Sequence, residues 1–223
     1  MRHRVLTIAA VLFVITAAAS AADDFVVEDW KQKPGATGIP PGWQGQNWGS
    51  PKYDFKVEES DGRAALHMKS ANEGSTVSRE IKGKVTLKET PILEWTWKAL
   101  VLPQNGNSCK KATDDQAAQL FVVWPRFPEA VRSRILGYVW DTTLPVGTIC
   151  KSEKTGTVTY VVVRSGTAGL GKWLTERRNV VEDFTKIYGE APENPGGVSI
   201  SIDSNDTNSS SESLMGAIAF RRK

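Results

Sequence analysis

The sequence predicts a mainly β protein, an antiparallel β-sandwich with one covering α-helix near residues 170–188. Short runs of β-branched and aromatic residues recur along the chain, and Pro, Gly and Asp-Gly turn signals separate them. Apolar and polar residues alternate within several of these runs, which is typical of strands with one buried face. One later stretch instead places its apolar residues at helical spacing, which favours the single helix.

The first residues are typical of a secretory leader. MRHR is a short basic segment, VLTIAAVLFVIT is an apolar run of 12 residues, and AAASAA supplies small residues for cleavage. Cleavage after Ala22 divides the chain into a signal peptide, 1–22, and one β-sandwich domain, 23–223. The apolar run is shorter than the roughly 20 residues that span a bilayer as a helix. We therefore expect a periplasmic or secreted protein that has no transmembrane anchor after cleavage.

The charge and the cysteine content limit which classes of partner and which cellular compartment fit this chain. Removal of the leader leaves 26 basic against 25 acidic residues, and no basic cluster is interleaved with aromatic residues, so nucleic-acid binding is not expected. Cys109 and Cys150 are predicted to form a disulfide, because exported proteins fold in an oxidising compartment. If residues 115–124 and 135–141 are neighbouring antiparallel strands, the loops that carry both cysteines meet at one edge.

The elements follow in chain order from their own patterns. Two short apolar runs around Ser-Asp-Gly predict a hairpin over 54–69. Residues 92–102 alternate, with one face of apolar residues including Leu93, Trp95 and Trp97 and one polar face including Glu94, Thr96 and Lys98. The remaining predicted strands are QLFVVW, ILGYVWD, TVTYVVVRSG, GVSISID and LMGAIAF. The helix near 170–188 is predicted to end at Gly189.

The usual catalytic and metal-binding side chains are scarce. His67 is the single histidine after the leader, it lies in an alternating run typical of a strand, and the GxSxG and HExxH motifs are absent. The sequence therefore assigns no catalytic residue, no metal site and no cofactor. Calcium stays open for the loop 203–210, where Asp203, Asn205 and Asp206 supply oxygen ligands at short intervals, although such loops are usually solvated turns.

Paired carboxylates and tryptophans are the remaining candidates for a site. Asp114 and Asp115 could anchor the loop by accepting backbone hydrogen bonds, bind a hard cation, or contact a ligand. Trp43 and Trp48 lie in a Gly/Pro-rich loop, where they could stack on sugar rings or anchor the loop. The tryptophans within predicted strands are more typical of a core: Trp95, Trp97, Trp124 and Trp140.

A set of segments resembles a known family. In order they are WTWKALVLP, DDQAAQLFVVWP, LGYVWDTTLPVGT, VVVRSG, RNVVEDFTKIYGEAP and GVSISIDSNDTNSSS. Together they resemble the exported bacterial proteins grouped as domain-of-unknown-function family 3047. The resemblance implies a fold similar to that of jelly-roll carbohydrate-binding modules, and it implies no activity. It also implies a basic residue where Gln119 stands and an acidic one where Ala217 stands, and this chain has neither.

These observations support three hypotheses for the function. The first is a non-catalytic module that binds a saccharide or another polar component of the cell envelope. The second is a structural or interaction protein of the envelope, and the third is a glycan hydrolase that uses two carboxylates about 5 to 9 Å apart. The first hypothesis places the ligand on the polar face of one sheet and at its edge, formed by Glu94, Lys98, Asp114, Asp115, Gln119, Trp140, Asp141, Arg164 and Asp203.

Overall fold

The computed structural model describes residues 24–223, so the predicted leader lies outside the described residues. The strands are β1 (Phe25–Glu28), β2 (Gln44–Gly45), β3 (Asp54–Ser60), β4 (Arg63–Ala71), β5 (Gly74–Glu80), β6 (Ile92–Val101), β7 (Ala118–Trp124), β8 (Arg134–Asp141), β9 (Ile149–Lys151), β10 (Val158–Ser165), β11 (Leu174–Asn179), β12 (Gly197–Asp203) and β13 (Ser210–Arg221). The helices are α1 (Glu129–Arg132) and α2 (Val180–Tyr188), and a 3-10 turn spans Lys111–Thr113. No helix within residues 24–223 is long and apolar enough to cross a membrane.

The strands form two sheets that pack face to face. The six-stranded sheet has the order β11-β6-β13-β4-β3, and β1 pairs with the C-terminal end of β13. The seven-stranded sheet has the order β2-β5-β12-β7-β8-β10-β9. The hairpin predicted over 54–69 is confirmed as β3 and β4. This arrangement confirms the predicted β-sandwich.

Aromatic side chains from both sheets meet in the core. Trp95 and Trp97 on β6 are fully buried, as the alternating pattern of that strand predicts. The Trp95 ring lies 5.3 Å from the ring of Tyr138, and the Trp97 ring lies 6.0 Å from that of Trp140, both on β8. Large aromatic side chains bury the most apolar area per residue, so these contacts stabilise the packing of one sheet on the other.

The disulfide between Cys109 and Cys150 is present, with the two Cα atoms 5.7 Å apart. The predicted pairing of β7 with β8 is also confirmed: the strands are antiparallel, and Ala118 lies opposite Trp140. The next strand departs from the predicted antiparallel order, because β10 runs parallel to β8. A parallel neighbour needs a long crossover, and residues 142–157 supply it, with β9 returning along the outer edge of β10.

The predicted helix is confirmed only over its second half. Residues 174–179 form β11, which pairs with the free edge of β6 and so satisfies backbone groups that a helix would have bonded internally. The Asn179 side chain accepts hydrogen bonds from the backbone of Val181 and Glu182, and this cap starts α2. The helix ends at Gly189, whose φ of 74° is the left-handed conformation that glycine favours.

We expect the double variant Cys109→Ser/Cys150→Ser to lose about 4 kcal/mol in its free energy of unfolding, because the disulfide restricts the unfolded chain by closing a long loop. The two cysteines are 41 residues apart in the sequence. Urea unfolding of the variant and of the oxidised wild type measures the difference, and the reduced wild type is the matched control. Equal unfolding midpoints for the variant and the oxidised protein would contradict this role.

Candidate functional site

The candidate site is a groove of about 730 Å³ on the outer face of the seven-stranded sheet. Side chains from β5, β7, β10 and β12 form its floor, and the loops around residues 46–50 and 154–155 form its walls. The volume lies within the range of roughly 300 to 1,000 Å³ that is common for ligand sites. The groove lies on the side of the sheet that does not face the core, so its side chains are the outward members of each alternating strand.

A ladder of hydroxyl groups covers one half of the floor. Strands β5 and β12 are antiparallel, and their register places Ser78 opposite Ser199 and Thr76 opposite Ser201. The two hydroxyl oxygens are 2.8 Å apart in the first pair and 2.9 Å apart in the second. These groups follow directly from GVSISID, where serines alternate with buried isoleucines. Each hydroxyl has further donor or acceptor capacity that a ligand could use.

Gln119 and Phe121 continue the floor on β7. Gln119 lies opposite Ser201, is only 4% exposed, and its carboxamide makes no hydrogen bond with any other residue in 24–223. The amide atoms open into the groove, so this carboxamide can donate to and accept from a ligand. The Phe121 ring lies across Gly137, where a Cβ would stand 2.7 Å from a ring carbon, and so gives the floor an apolar surface.

Trp48 stands at the rim of the groove. The neighbouring Gln46 side chain holds this loop on β5, because its amide accepts a hydrogen bond from the Thr76 backbone at 2.7 Å and donates to the Trp48 carbonyl at 2.9 Å. The Trp48 side chain itself is 60% exposed and lines the groove. Trp43, the other tryptophan of this loop, is buried and stacks on Trp30, so the structure separates the two candidates.

One end of the groove is acidic. Burial raises the pKa of Asp114 to about 6, while its hydrogen bond from Gln116 acts in the opposite direction. Burial and the neighbouring charge of Asp115 raise the pKa of Asp203 to about 8. The Asp203 carboxyl fits over β5 because Gly74 has no side chain: a Cβ there would lie 2.9 Å from the Asp203 Oδ1.

The other two candidate aspartates support the fold. The Asp115 carboxylate accepts hydrogen bonds from the backbone of Asp206 at 3.1 Å and of Thr207 at 2.6 Å. Asp115 therefore anchors the loop between β12 and β13. This is the loop-anchoring role that the sequence suggested for the Asp114–Asp115 pair, and here it belongs to Asp115. Asp141 accepts bonds from the backbone and hydroxyl of Ser108 and from two backbone groups that follow it. Both carboxylates are fully buried and satisfied.

Glu94 and Lys98 do not lie on the same face as Gln119 and Asp203, and the prediction of one shared face was wrong. Both lie on β6 of the six-stranded sheet, whose neighbours are β11 and β13. Glu94 bonds Arg177 and Arg221, and Lys98 bonds Asp61 at 2.8 Å. Strand alternation reports which side of a sheet a residue faces, but it does not report which sheet the strand joins.

Trp140, Arg164 and His67 also lie away from the groove floor. Trp140 is fully buried in the core, where its indole N–H donates to the Gly166 carbonyl at 3.0 Å. The Arg164 guanidinium makes two hydrogen bonds with the Glu176 carboxylate on β11, and so joins the edges of the two sheets. His67 lies on β4, within hydrogen-bonding distance of two glutamates of the six-stranded sheet.

In the loop 203–210, which the sequence offered as a calcium site, one carboxylate instead pairs with a lysine. Asp206 forms an ion pair with Lys154, on the far wall of the groove. Within the described part of the chain, no group of three or more acidic, histidine or cysteine side chains is arranged to hold a metal ion.

Four residues that line the groove were not among the site residues predicted from the sequence: Phe121, Tyr160, Ser199 and Ser201. The alternation in GVSISID already placed both serines outward.

Comparison with known proteins gives a family and several distant structures. The family model described as "Protein of unknown function (DUF3047)" matches residues 41–219, most of the chain, so the chain belongs to this family and the resemblance is confirmed. No curated protein matches the sequence.

The solved structures that are similar share little sequence with this chain. The family 30 carbohydrate-binding module of the cellulosomal cellulase Cel9D-Cel44B of Clostridium thermocellum is 10% identical, with 91% of this chain and 99% of that chain covered and a TM-score of 0.47. A cellulase derived from Cel12A of Rhodothermus marinus is 11% identical, with coverage of 88% and 99% and a TM-score of 0.48. Similarity at this level carries no information about what this chain binds.

We expect the wild type to lose stability as the pH rises, because the folded state holds protons that the unfolded chain releases. The pKa of Asp203 lies near 8 in the fold against 3.8 for an ordinary aspartate, so its contribution is complete at low pH and falls between about pH 4 and 8. One proton corresponds to at most about 1.4 kcal/mol per pH unit.

Asp203→Asn removes this dependence, so its free energy of unfolding should decline less steeply between pH 5 and 7, by about 1 kcal/mol per pH unit. Asp54→Asn, which changes an exposed carboxyl on β3, is the matched control and should keep the wild-type slope. Urea unfolding at three pH values measures each slope. A wild-type slope in Asp203→Asn would show that this carboxyl does not hold the extra proton.

Proposed function

We propose that this member of the DUF3047 family is a binding module for a saccharide, which lies in the groove of the seven-stranded sheet. The observation that carries the proposal is the pairing in one groove of an exposed indole, Trp48, with the carboxamide of Gln119, which has no hydrogen-bond partner within residues 24–223. A sugar ring presents an apolar face that can lie on an aromatic ring. Its hydroxyl groups both donate and accept hydrogen bonds.

The floor of the groove matches those two requirements. The paired hydroxyls of β5 and β12 and the Gln119 amide offer donors and acceptors along one line of the sheet. Trp48 and Phe121 offer apolar surfaces at the rim and on the floor. Such a mixture of an apolar surface with a few convergent polar groups is the usual composition of a small-molecule site.

Asp203 adds a group that suits a neutral ligand. With its pKa near 8, this carboxyl is mostly protonated at pH 7 and shares its proton with the neighbouring Asp115 carboxylate, so it meets a ligand as an uncharged group with acceptor capacity. Asp114, with its pKa near 6, is mostly ionised at the same pH and acts as an acceptor. The acidic end of the groove therefore favours hydroxyl groups over a charged anionic ligand.

We also propose that the protein acts outside the cytoplasm, in the periplasm or after secretion. The disulfide supports this location, because disulfides form and persist in oxidising compartments. The basic and apolar segments at 1–22 have the order of a secretory leader.

We expect Trp48→Ala and Gln119→Met each to weaken oligosaccharide binding about tenfold, through loss of the stacking surface and of the buried hydrogen bonds respectively. Isothermal titration calorimetry against a panel of neutral envelope and plant oligosaccharides measures the affinity. Phe127→Ala and Gln104→Met, which change exposed side chains that do not line the groove, are the matched controls.

Gln119→Met keeps the side-chain volume and breaks no hydrogen bond with another residue in 24–223, so its free energy of unfolding should stay within about 0.5 kcal/mol of the wild type. Weaker binding together with unchanged or higher stability would separate a role in binding from a role in folding. If no oligosaccharide of the panel binds to the folded protein, or if the controls lose as much affinity as the groove variants, the proposal is rejected.

The acidic end gives a specific reason to test glycan hydrolysis as a second function. Two carboxyl groups with raised pKa values lie in one groove, and a carboxyl that is protonated near neutral pH can serve as a general acid. On this hypothesis Asp203 donates the proton and Asp114 acts as the base or nucleophile.

We expect Asp203→Asn to abolish any release of reducing ends while the oligosaccharide still binds in calorimetry, because the amide keeps the shape of the acid but cannot supply the proton. Asp206→Asn, at the neighbouring ion pair with Lys154, is the control that should retain turnover. If the wild-type protein binds an oligosaccharide but does not cleave it, the hydrolysis hypothesis is rejected and binding remains the proposed function.

A further inference from the structure

A second cleft lies on the opposite side of the seven-stranded sheet from the groove. Its volume is about 750 Å³, and it lies between α2, the edge strands β9 and β10, and the segment around α1. We call it the basic cleft, because five cationic side chains line it: Arg126, Arg132, Arg134, Lys151 and Lys186. None of the residues that line it is acidic.

The positive charge of the basic cleft is only partly balanced. Glu190, at its margin, bonds both Arg126 and Arg134, so one carboxylate serves two of the five cations. Lys151 and Lys186 form no ion pair or side-chain hydrogen bond within residues 24–223. Cations that are held together without counter-charges repel each other, and a bound anion would remove that repulsion.

Two threonines in the basic cleft have hydroxyl groups without a partner. Thr157 and Thr159 are each only 8% exposed and line the cleft, and neither hydroxyl bonds another described residue. Both hydroxyl oxygens are accessible from the cleft, so both groups can donate to a ligand there. Hydroxyl groups beside arginine and lysine form a set composed mainly of donors, which suits an anion with several oxygen atoms.

One arginine is already fixed in position for such a ligand. The Arg134 guanidinium lies 4.6 Å from the centre of the Tyr188 ring and 5.6 Å from that of Phe184, both on α2. Stacking on aromatic rings and the bond to Glu190 restrict its rotamers, so less conformational entropy is lost when it binds an anion.

We propose that the basic cleft binds an oxyanion, a phosphate or sulfate group, either free or as an ester of a larger molecule. The guanidinium and ammonium groups offer the charge, and the two threonine hydroxyls offer short neutral donors. The cleft is independent of the saccharide groove, because strand alternation points Val158 and Tyr160 into the groove and Thr157 and Thr159 into the cleft.

The test is an NMR titration of the 15N-labelled protein with inorganic phosphate and inorganic sulfate at constant ionic strength. We expect saturable chemical-shift changes confined to residues 149–159, 126–134 and 186–190. The variant Lys151→Gln/Lys186→Gln should bind at least about tenfold more weakly, because it removes the two unpaired ammonium groups. Lys82→Gln/Lys84→Gln removes the same charge from exposed lysines outside the cleft, and its affinity should stay within about twofold of the wild type.

Thr159→Val tests the hydroxyl without a change of charge, and we expect it to weaken binding about threefold while the protein stays folded. A sulfated monosaccharide that binds more tightly than inorganic sulfate would identify an ester as the ligand, and equal affinity would identify the free anion. Shifts spread over surface lysines, or equal losses in the two double-lysine variants, would overturn the proposal. Failure here would leave saccharide binding in the groove unaffected, since the titrated residues differ.

Discussion

The packing of Trp95 and Trp97 against Tyr138 and Trp140 is the contact on which the rest of the structure depends. It joins the two sheets through side chains that are fully buried on β6 and β8. Because successive side chains of a strand point to opposite faces, burial of these positions decides which neighbours point outward. The same parity, carried across β7 and β12 by their register, turns Gln119 and the serines of β12 toward the groove.

The disulfide brings together the two loops that form the acidic end of the groove. Asp114 follows Cys109 in one loop, and Ser152 and Lys154 follow Cys150 in the other. The Ser152 hydroxyl lies 3.4 Å from the Asp114 carboxylate, and Lys154 bonds the loop after β12. The disulfide therefore links two segments that are distant in sequence. It holds Asp114, Ser152 and Lys154 near one another, although all three lie in loops outside the regular strands.

The groove retains groups that stability alone would not favour. Gln119 has an amide with no partner within residues 24–223, and Asp203 is a half-buried carboxyl beside that of Asp115. Elsewhere in the fold, buried polar groups such as Asp115 and Asp141 are satisfied by several backbone donors. Groups that do not favour stability are often found at functional sites, and here Gln119 and Asp203 both line the groove.

The sequence by itself predicted the hairpin of β3 and β4, the strands β6, β7, β8, β10, β12 and β13, the disulfide and the membership of a family. These features depend on periodicity and composition, which are local, and the alternation in residues 92–102 predicts the observed burial. Only the tertiary structure decided which sheet each strand joins, and so separated Glu94 from Gln119. It also made residues 174–179 a strand despite their helical spacing, because pairing with the edge of β6 is a contact between distant parts of the chain.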